Sequence, residues 1–276
     1  MEVIAVGTAA IDVVHEVAAY PQGSLRLFVL PMRLYILSSR ETGSRTIIHS
    51  RSIAELGVEA FKTQVARSLV KFRQDMNAAV WFHFEGRNME TVREMILHVR
   101  EAAPQAKISV EIEFPRYPWH LARTLASLAD YVFISKDYLR DNVNILSAQE
   151  FFNRIQTNHW DEDWNQWVKA FICPWGSEGV YYLETSGANT HHIPAAQLGK
   201  VVESNGAGDS FIGASIAGLS RGYVPLGVAL KVACEVATVK CSQHGFKLPM
   251  EKILKWQHDL TLKNPDEEDG AKTFAC

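Results

Sequence analysis

Hydrophobic positions along this chain follow two rhythms. Short apolar runs at residues 3–7, 79–84, 107–112, 131–134 and 168–173 are bounded by glycine, proline or polar residues, as buried strands are. Between them, apolar residues recur every three or four positions: Val92, Met95, Ile96 and Val99, then Leu121, Leu125 and Leu128, then over 148–155. That spacing predicts helices with one buried face, the first of them opened by Asn88 as its cap. Further helices are predicted over 209–219 and 226–241, with an extra one past Phe246. Strands alternating with helices of this length imply right-handed crossovers and a mainly parallel sheet covered on both faces. Residues 179–183 and 191–193, joined through Ser186-Gly187-Ala188-Asn189, read as a hairpin at a sheet edge. Residues 45–49 have strand character, whereas over 25–37 Arg26, Pro31 and Arg33 break any regular period.

Composition narrows the field without choosing a function. The 276 residues are 47% hydrophobic, enough for one large domain with a sizeable core, and no internal repeat or interdomain linker interrupts them. With 28 Lys+Arg against 31 Asp+Glu, the net charge of -3 provides no bulk field for nucleic acid or an acidic membrane. Cys173, Cys234, Cys241 and Cys276 show no CxxC spacing and suit a reducing compartment. Cys234 and Cys241 are expected as core thiols on one helical face. No leader or spanning run is visible, since Asp12 interrupts the first apolar stretch, and the cytoplasm is the expected location. Residues 261–276, with Pro265-Asp266-Glu267-Glu268-Asp269-Gly270, read as a polar tail.

No metal-ligating set of side chains is predicted. The ten histidines form no HExxH, and His191 and His192 in one strand must point to opposite faces. Trp160, Trp164 and Trp167 at helical spacing predict a packed aromatic face. A GxxxxGK[ST] element is absent, which disfavours a P-loop kinase.

The chemistry concentrates in Glu203-Ser204-Asn205-Gly206-Ala207-Gly208-Asp209-Ser210-Phe211, followed by a helix rich in small residues. Glycines let a backbone approach an anion, and the first turn of a helix aims unpaired N–H groups outward. A carboxylate at Asp209 could take a proton from an attacking hydroxyl. Phosphoryl transfer needs that pairing of anion cradle and base. An alternative stays open on these residues alone: Asn205-Gly206 as an ordinary turn and Asp209 as a helix cap.

Gly206-Ala207-Gly208-Asp209 with its small-residue helix resembles the signature of PfkB-type (ribokinase-like) carbohydrate kinases. The ketohexokinase branch is most similar, through Trp81-Phe82-His83-Phe84-Glu85-Gly86-Arg87-Asn88, Ser109-Val110-Glu111-Ile112-Glu113, Val132-Phe133-Ile134-Ser135-Lys136-Asp137, and Lys240-Cys241 with Gly245-Phe246. The resemblance spans about 1–24 and 41–246. It implies an α/β, ribokinase-like three-layer sandwich over residues 1–260, incomplete between about 25 and 40, with a reduced N-terminal lid. It further implies Asp209 as catalytic base and the amides of Gly206, Ala207 and Gly208 as anion hole. Gly176, Ser177, Glu178 and Gly179 occupy the place of a nucleotide-binding loop, Arg45 that of an ATP-contacting arginine, and Asp12 that of a sugar-binding aspartate. ATP, Mg2+ and a small sugar are the implied ligands, and a homodimer is a family trait.

Three departures accompany the resemblance. Only 32 residues separate Asp12 from Arg45, and no Gly-Gly-Asn sugar-binding stretch occurs. Phe114-Pro115-Arg116-Tyr117 carries no glutamate where the family places one near magnesium. Glu203-Ser204 stands where Asp-Thr is usual. Two functions therefore follow from the resemblance: a kinase phosphorylating a ketose such as fructose at the C1 hydroxyl, or a catalytically impaired relative that binds nucleotide or a partner kinase chain.

Overall fold

The computed structural model describes residues 2–6, 11–17, 33–39, 45–50, 55–74, 80–113, 115–160, 167–187 and 189–261. The chain forms two compact units, residues 7–64 and the remainder. The smaller contains a three-stranded sheet of β2 (Ile11–Val17), β3 (Arg33–Ser39) and β4 (Arg45–Ser50), in which β2 runs parallel and β4 antiparallel to the central β3. β3 was not anticipated, because Pro31 and Arg33, which interrupt the period, stand just before and at its first residue. Helix α1 (Val58–Gln74) was also missed, although Phe61, Val65 and Leu69, all buried, repeat every four residues.

The larger unit is built on a seven-stranded sheet ordered β1-β5-β6-β7-β8-β9-β10. Its strands are β1 (Glu2–Val6), β5 (Val80–Glu85), β6 (Lys107–Ile112), β7 (Tyr131–Ile134), β8 (Ala170–Pro174), β9 (Val180–Glu184) and β10 (Thr190–Ile193). The first five are parallel, as the alternation of strands and helices predicted, and β9 and β10 close the edge as the expected antiparallel hairpin.

Both faces of this sheet are covered. Trp81, Phe133, Ala170, Ile172 and Tyr182 pack on one face against α6 (Ala207–Leu219) and α7 (Leu226–Cys241) through Phe211, Ile216, Ala229 and Ala233. The small residues bring these two helices close: a Cβ on Gly218 would lie 2.9 Å from that of Ala229. The alternate strand positions, among them Phe171, meet the other layer, where Phe151 of α5 (Ala148–Gln156) stands edge-on to Phe171 and Trp119 of α3 (Trp119–Ala126) stands edge-on to Phe151. Helices α2 (Met89–Ala102), α4 (Lys136–Val143) and α8 (Met250–Asp259) complete the unit. The three layers are those of an α/β ribokinase-like fold.

Several local expectations are refined. Asn88 does precede α2, but in a left-handed conformation (φ 44°) and without a side-chain cap; its N–H donates instead to the Tyr117 hydroxyl at 2.8 Å. The tight turn before it, with Arg87 N–H donating to the Glu85 carbonyl, requires that conformation, which asparagine tolerates. Trp160 packs on Trp119 and Phe151, whereas the Trp167 ring lies under Arg100, so the two do not share one aromatic face. His191 and His192 do point apart, stacking on Tyr182 and Tyr181 respectively. Cys173 and Cys234 are buried and Cys241 is half-buried. Residues 25–32, Trp164, Cys276 and the tail beyond Thr261 lie outside the described residues. Among those described, no helix is long and apolar enough to cross a membrane.

Candidate active site

In a parallel sheet the carboxyl ends of the strands and the turns that follow them are where ligands bind. Here Gly86-Arg87 follows β5, Ser135-Lys136 follows β7, and residues 175–179 follow β8. Backbone sterics shape two of these turns. A Cβ on Gly86 would overlap the Glu111 carbonyl, to which the Gly86 N–H donates at 2.8 Å. Gly179 has φ 98° and abuts the Ile193 carbonyl so closely that no side chain fits. The Trp175 N–H donates to the Gly179 carbonyl at 2.7 Å and closes the loop Gly176–Glu178.

The Gly206 turn enters α6 with φ 73°, the left-handed region that glycine adopts without penalty. The Ala207 N–H donates to the Ser204 carbonyl at 3.2 Å, which closes the turn. Gly208, second in the helix, has no intrahelical acceptor for its N–H, and the space where its Cβ would be is open. Asp209 follows in the first turn, exposed, inside the helix rather than at its cap.

Glu111 joins this site, and no role was predicted for it. Trp81, His83 and Glu85 of β5 pair in register with Lys107, Ser109 and Glu111 of β6, so Glu85 and Glu111 end one row on the α6 face. Burial pushes the Glu111 carboxyl well above the ordinary range, and the charges of Glu113, Asp209 and Glu85 push it the same way. Arg87, ion-paired with Glu85, opposes them. Glu113, Asp209 and Glu85 thus all disfavour a charge on Glu111 here. A positive charge brought to this cluster would relieve the repulsion.

The row behind is polar but neutral. Ser109 Oγ accepts from Trp81 Nε1 at 2.8 Å and shares a hydrogen bond with His83 Nδ1, also at 2.8 Å. Burial pushes the His83 imidazole down to about 4, against 6.5 when solvated. The unfolded chain then binds the extra proton, so this histidine's contribution to stability is complete above pH 6.5 and is lost as pH falls from there toward 4. The loss expected between pH 7.5 and 4.5 is about 2–3 kcal/mol. Urea titrations of the wild type and His83→Gln check it, because only the wild type has this component of the slope.

Lys136 is a second unforeseen participant. Its exposed ammonium stands 3.3 Å from where a Cβ on Gly176 would be, and it makes no ion pair among the described residues. Helix α4, capped by the Ser135 hydroxyl accepting from the Tyr138 N–H at 3.1 Å, fixes the backbone from which it projects. In the predicted nucleotide loop, Glu178 accepts from the Tyr181 hydroxyl at 3.0 Å and, through its carbonyl, meets His192 Nε2 at 2.7 Å. Asp12 and Arg45 lie in the smaller unit, on the two strands flanking β3, where they pair with Leu34 and Ser38.

Mouse (Mus musculus) ketohexokinase is 28% identical over 218 residues, covering 75% of this chain and 65% of the mouse protein, so the chain spans just under two thirds of that relative's length. A putative ribokinase from Agrobacterium tumefaciens superposes with a TM-score of 0.67 at 13% identity, covering 95% of this chain and 99% of its own. Phosphofructokinase-2 from Escherichia coli gives 0.60 at 13% identity, with coverages of 84% and 72%. At these identities the two structures speak to the fold alone. The model of the pfkB family carbohydrate kinases matches residues 33–253, most of the chain, and the protein belongs to that family.

Proposed function

We propose that this chain is an ATP-dependent sugar kinase with Asp209 as its general base. The observation that carries the reading is the placement of an exposed carboxylate in the first turn of α6, directly after a left-handed glycine turn and at the carboxyl edge of the sheet. In the reaction, the acceptor hydroxyl gives its proton to Asp209 as its oxygen bonds to the γ-phosphorus. The bond between that phosphorus and the β–γ bridging oxygen breaks, and ADP leaves with the electron pair. The Gly208 N–H and the positive end of α6 stabilise the charge that develops on the transferred group.

Magnesium suits the carboxylates present. They are hard oxygen donors, Glu111 near the end of β6 and Glu113 two residues on. An ion that keeps several of its waters and takes one or two carboxylates plus phosphate oxygens suits such donors. Glu111 and Glu113 are the residues that would hold it, and when bound it would neutralise phosphate charge. For ATP itself, the loop 176–179 and the Lys136 ammonium form the second contact. Lys136→Ala is expected to weaken Mg·ATP binding about tenfold by titration calorimetry, the scale of one charge-assisted contact.

The acceptor we favour is a ketose, fructose at its C1 hydroxyl, on the similarity to ketohexokinase. A coupled assay of ADP release with Mg·ATP and a panel of hexoses and pentoses tests the reading. Fructose-dependent turnover supports it, and absence of release with every acceptor overturns it. A second reading draws on the short interval between Asp12 and Arg45: a relative that binds nucleotide without turnover. It would show as an ATP-dependent rise in Tm with no ADP formed.

A further inference from the structure

The last turn of α7 is fastened to the strand of chain that leads into Gly206. The N–H groups of Val202 and Glu203 donate to the Cys241 carbonyl at 2.8 and 3.3 Å. Beside it the Lys240 side chain is 0% exposed, and its Nζ donates to Glu203 Oε2 at 2.7 Å and to the Glu203 carbonyl at 3.4 Å. The same carboxylate oxygen accepts the Gly245 N–H at 2.9 Å. Next in the chain, the Phe246 ring centroid lies 5.1 Å from Nζ, and the ring edge fills the space that a Cβ on Gly206 would need. One ammonium thus holds three pieces together: the end of α7, the approach to the glycine turn, and the residue that covers that turn.

A buried ammonium is costly to desolvate, and every other buried residue of α7 is apolar, so an aliphatic side chain here would stabilise the helix more cheaply. The ion pair is best understood by what it holds in place. Burial would raise the Glu203 carboxyl, but Lys240, the Gly245 N–H and His244 together bring it below its usual range, so Glu203 stays charged at neutral pH.

We propose that Lys240, Glu203 and Phe246 are positioning residues: together they set the left-handed turn at Gly206 and, through it, the aim of the Gly208 amide and of Asp209. Their effect on turnover rests on the kinase reading; their effect on the turn does not. The variants Lys240→Met and Lys240→Met/Glu203→Gln separate position from charge balance. In Lys240→Met, amide hydrogen exchange over residues 204–209 should quicken about tenfold while β5 to β8 stay protected. Turnover should fall about a hundredfold with little change in KM for ATP, as for a misplaced rather than a missing group. The double variant, which removes the stranded charge, should regain Tm but neither slow exchange nor turnover.

Unchanged exchange over 204–209 in Lys240→Met overturns the proposal, as does full recovery of exchange and turnover in the double variant. If Lys240→Met does not fold, Phe246→Ala removes only a ring that is 59% exposed and should quicken exchange at 205–207 alone; no change there overturns the proposal equally. A wild-type protein without turnover would defeat the kinase reading, and the exchange data would still decide this one.

Discussion

Asp209→Asn is expected to lower turnover by about 10²–10⁴-fold, the range a general base supplies, while leaving Mg·ATP bound at least as tightly. The asparagine has the same shape and occupies the same first turn of α6, so the glycine turn before it is undisturbed. It cannot accept the acceptor's proton. Removing its charge also removes one of the three carboxylates that press on Glu111, so the variant should melt no lower than the wild type. ADP release, calorimetry with Mg·ATP and thermal unfolding read the three effects separately. A variant that kept more than about a tenth of the wild-type rate would show that Asp209 is not the base. A variant that lost nucleotide affinity instead would place Asp209 in binding.

The glycine turn and the placement of Asp209 in the first turn of α6 were legible in the chain because the signal is local: four consecutive residues entering a small-residue helix. Glu111 was not, since its significance comes from register. It meets Glu85 across neighbouring strands and Asp209 from another layer, and only the folded sheet places those three charges together. Alternate carboxylates at 111, near the end of β6, and 113, just beyond it, were the available signal. Lys136 was hidden for the same reason, as an ordinary exposed lysine until β7 and β8 bring it beside Gly176. The parallel core was readable because strands buried on both faces appear as continuous apolar runs. The small sheet of β2, β3 and β4 was largely unread, because its β2 and β3 carry charged residues among the apolar ones and give no clean alternation.

Asp130→Ala is expected to cost about 3–5 kcal/mol, the usual penalty for breaking a buried ion pair from one side. Asp130 is 4% exposed and Arg100 8%. Its Oδ2 accepts from Arg100 Nη2 at 3.1 Å and from the Ile108 N–H at 2.9 Å, and its Oδ1 lies 3.1 Å from Lys169 Nζ. Arg100 is further held by the Leu128 and Ala106 carbonyls and by the Trp167 ring, 4.1 Å from its Cζ. Truncation would strand that guanidinium, orphan the Ile108 N–H and leave Lys107 and Lys169 facing each other without their shared anion. For a chain of this size the Tm should fall on the order of 10 °C. Asp130→Asn, which keeps an acceptor for the Ile108 N–H, should recover part of that loss. A Tm within about 2 °C of the wild type for Asp130→Ala would refute the account.

That charged knot sits where β6, β7 and β8 begin, since Lys107 opens β6 and Asp130 and Lys169 immediately precede β7 and β8. The groups proposed to react sit where the same strands end, a strand's length of roughly 15–20 Å away. Robustness and chemistry therefore occupy opposite rims of one sheet, and directed evolution can work on them independently. Substitutions that reinforce the rim at 107, 130 and 169 would add thermal tolerance without the loss of activity that usually accompanies rigidifying a catalytic loop. Acceptor preference can then be altered at the other rim, on a scaffold already strong enough to bear the change.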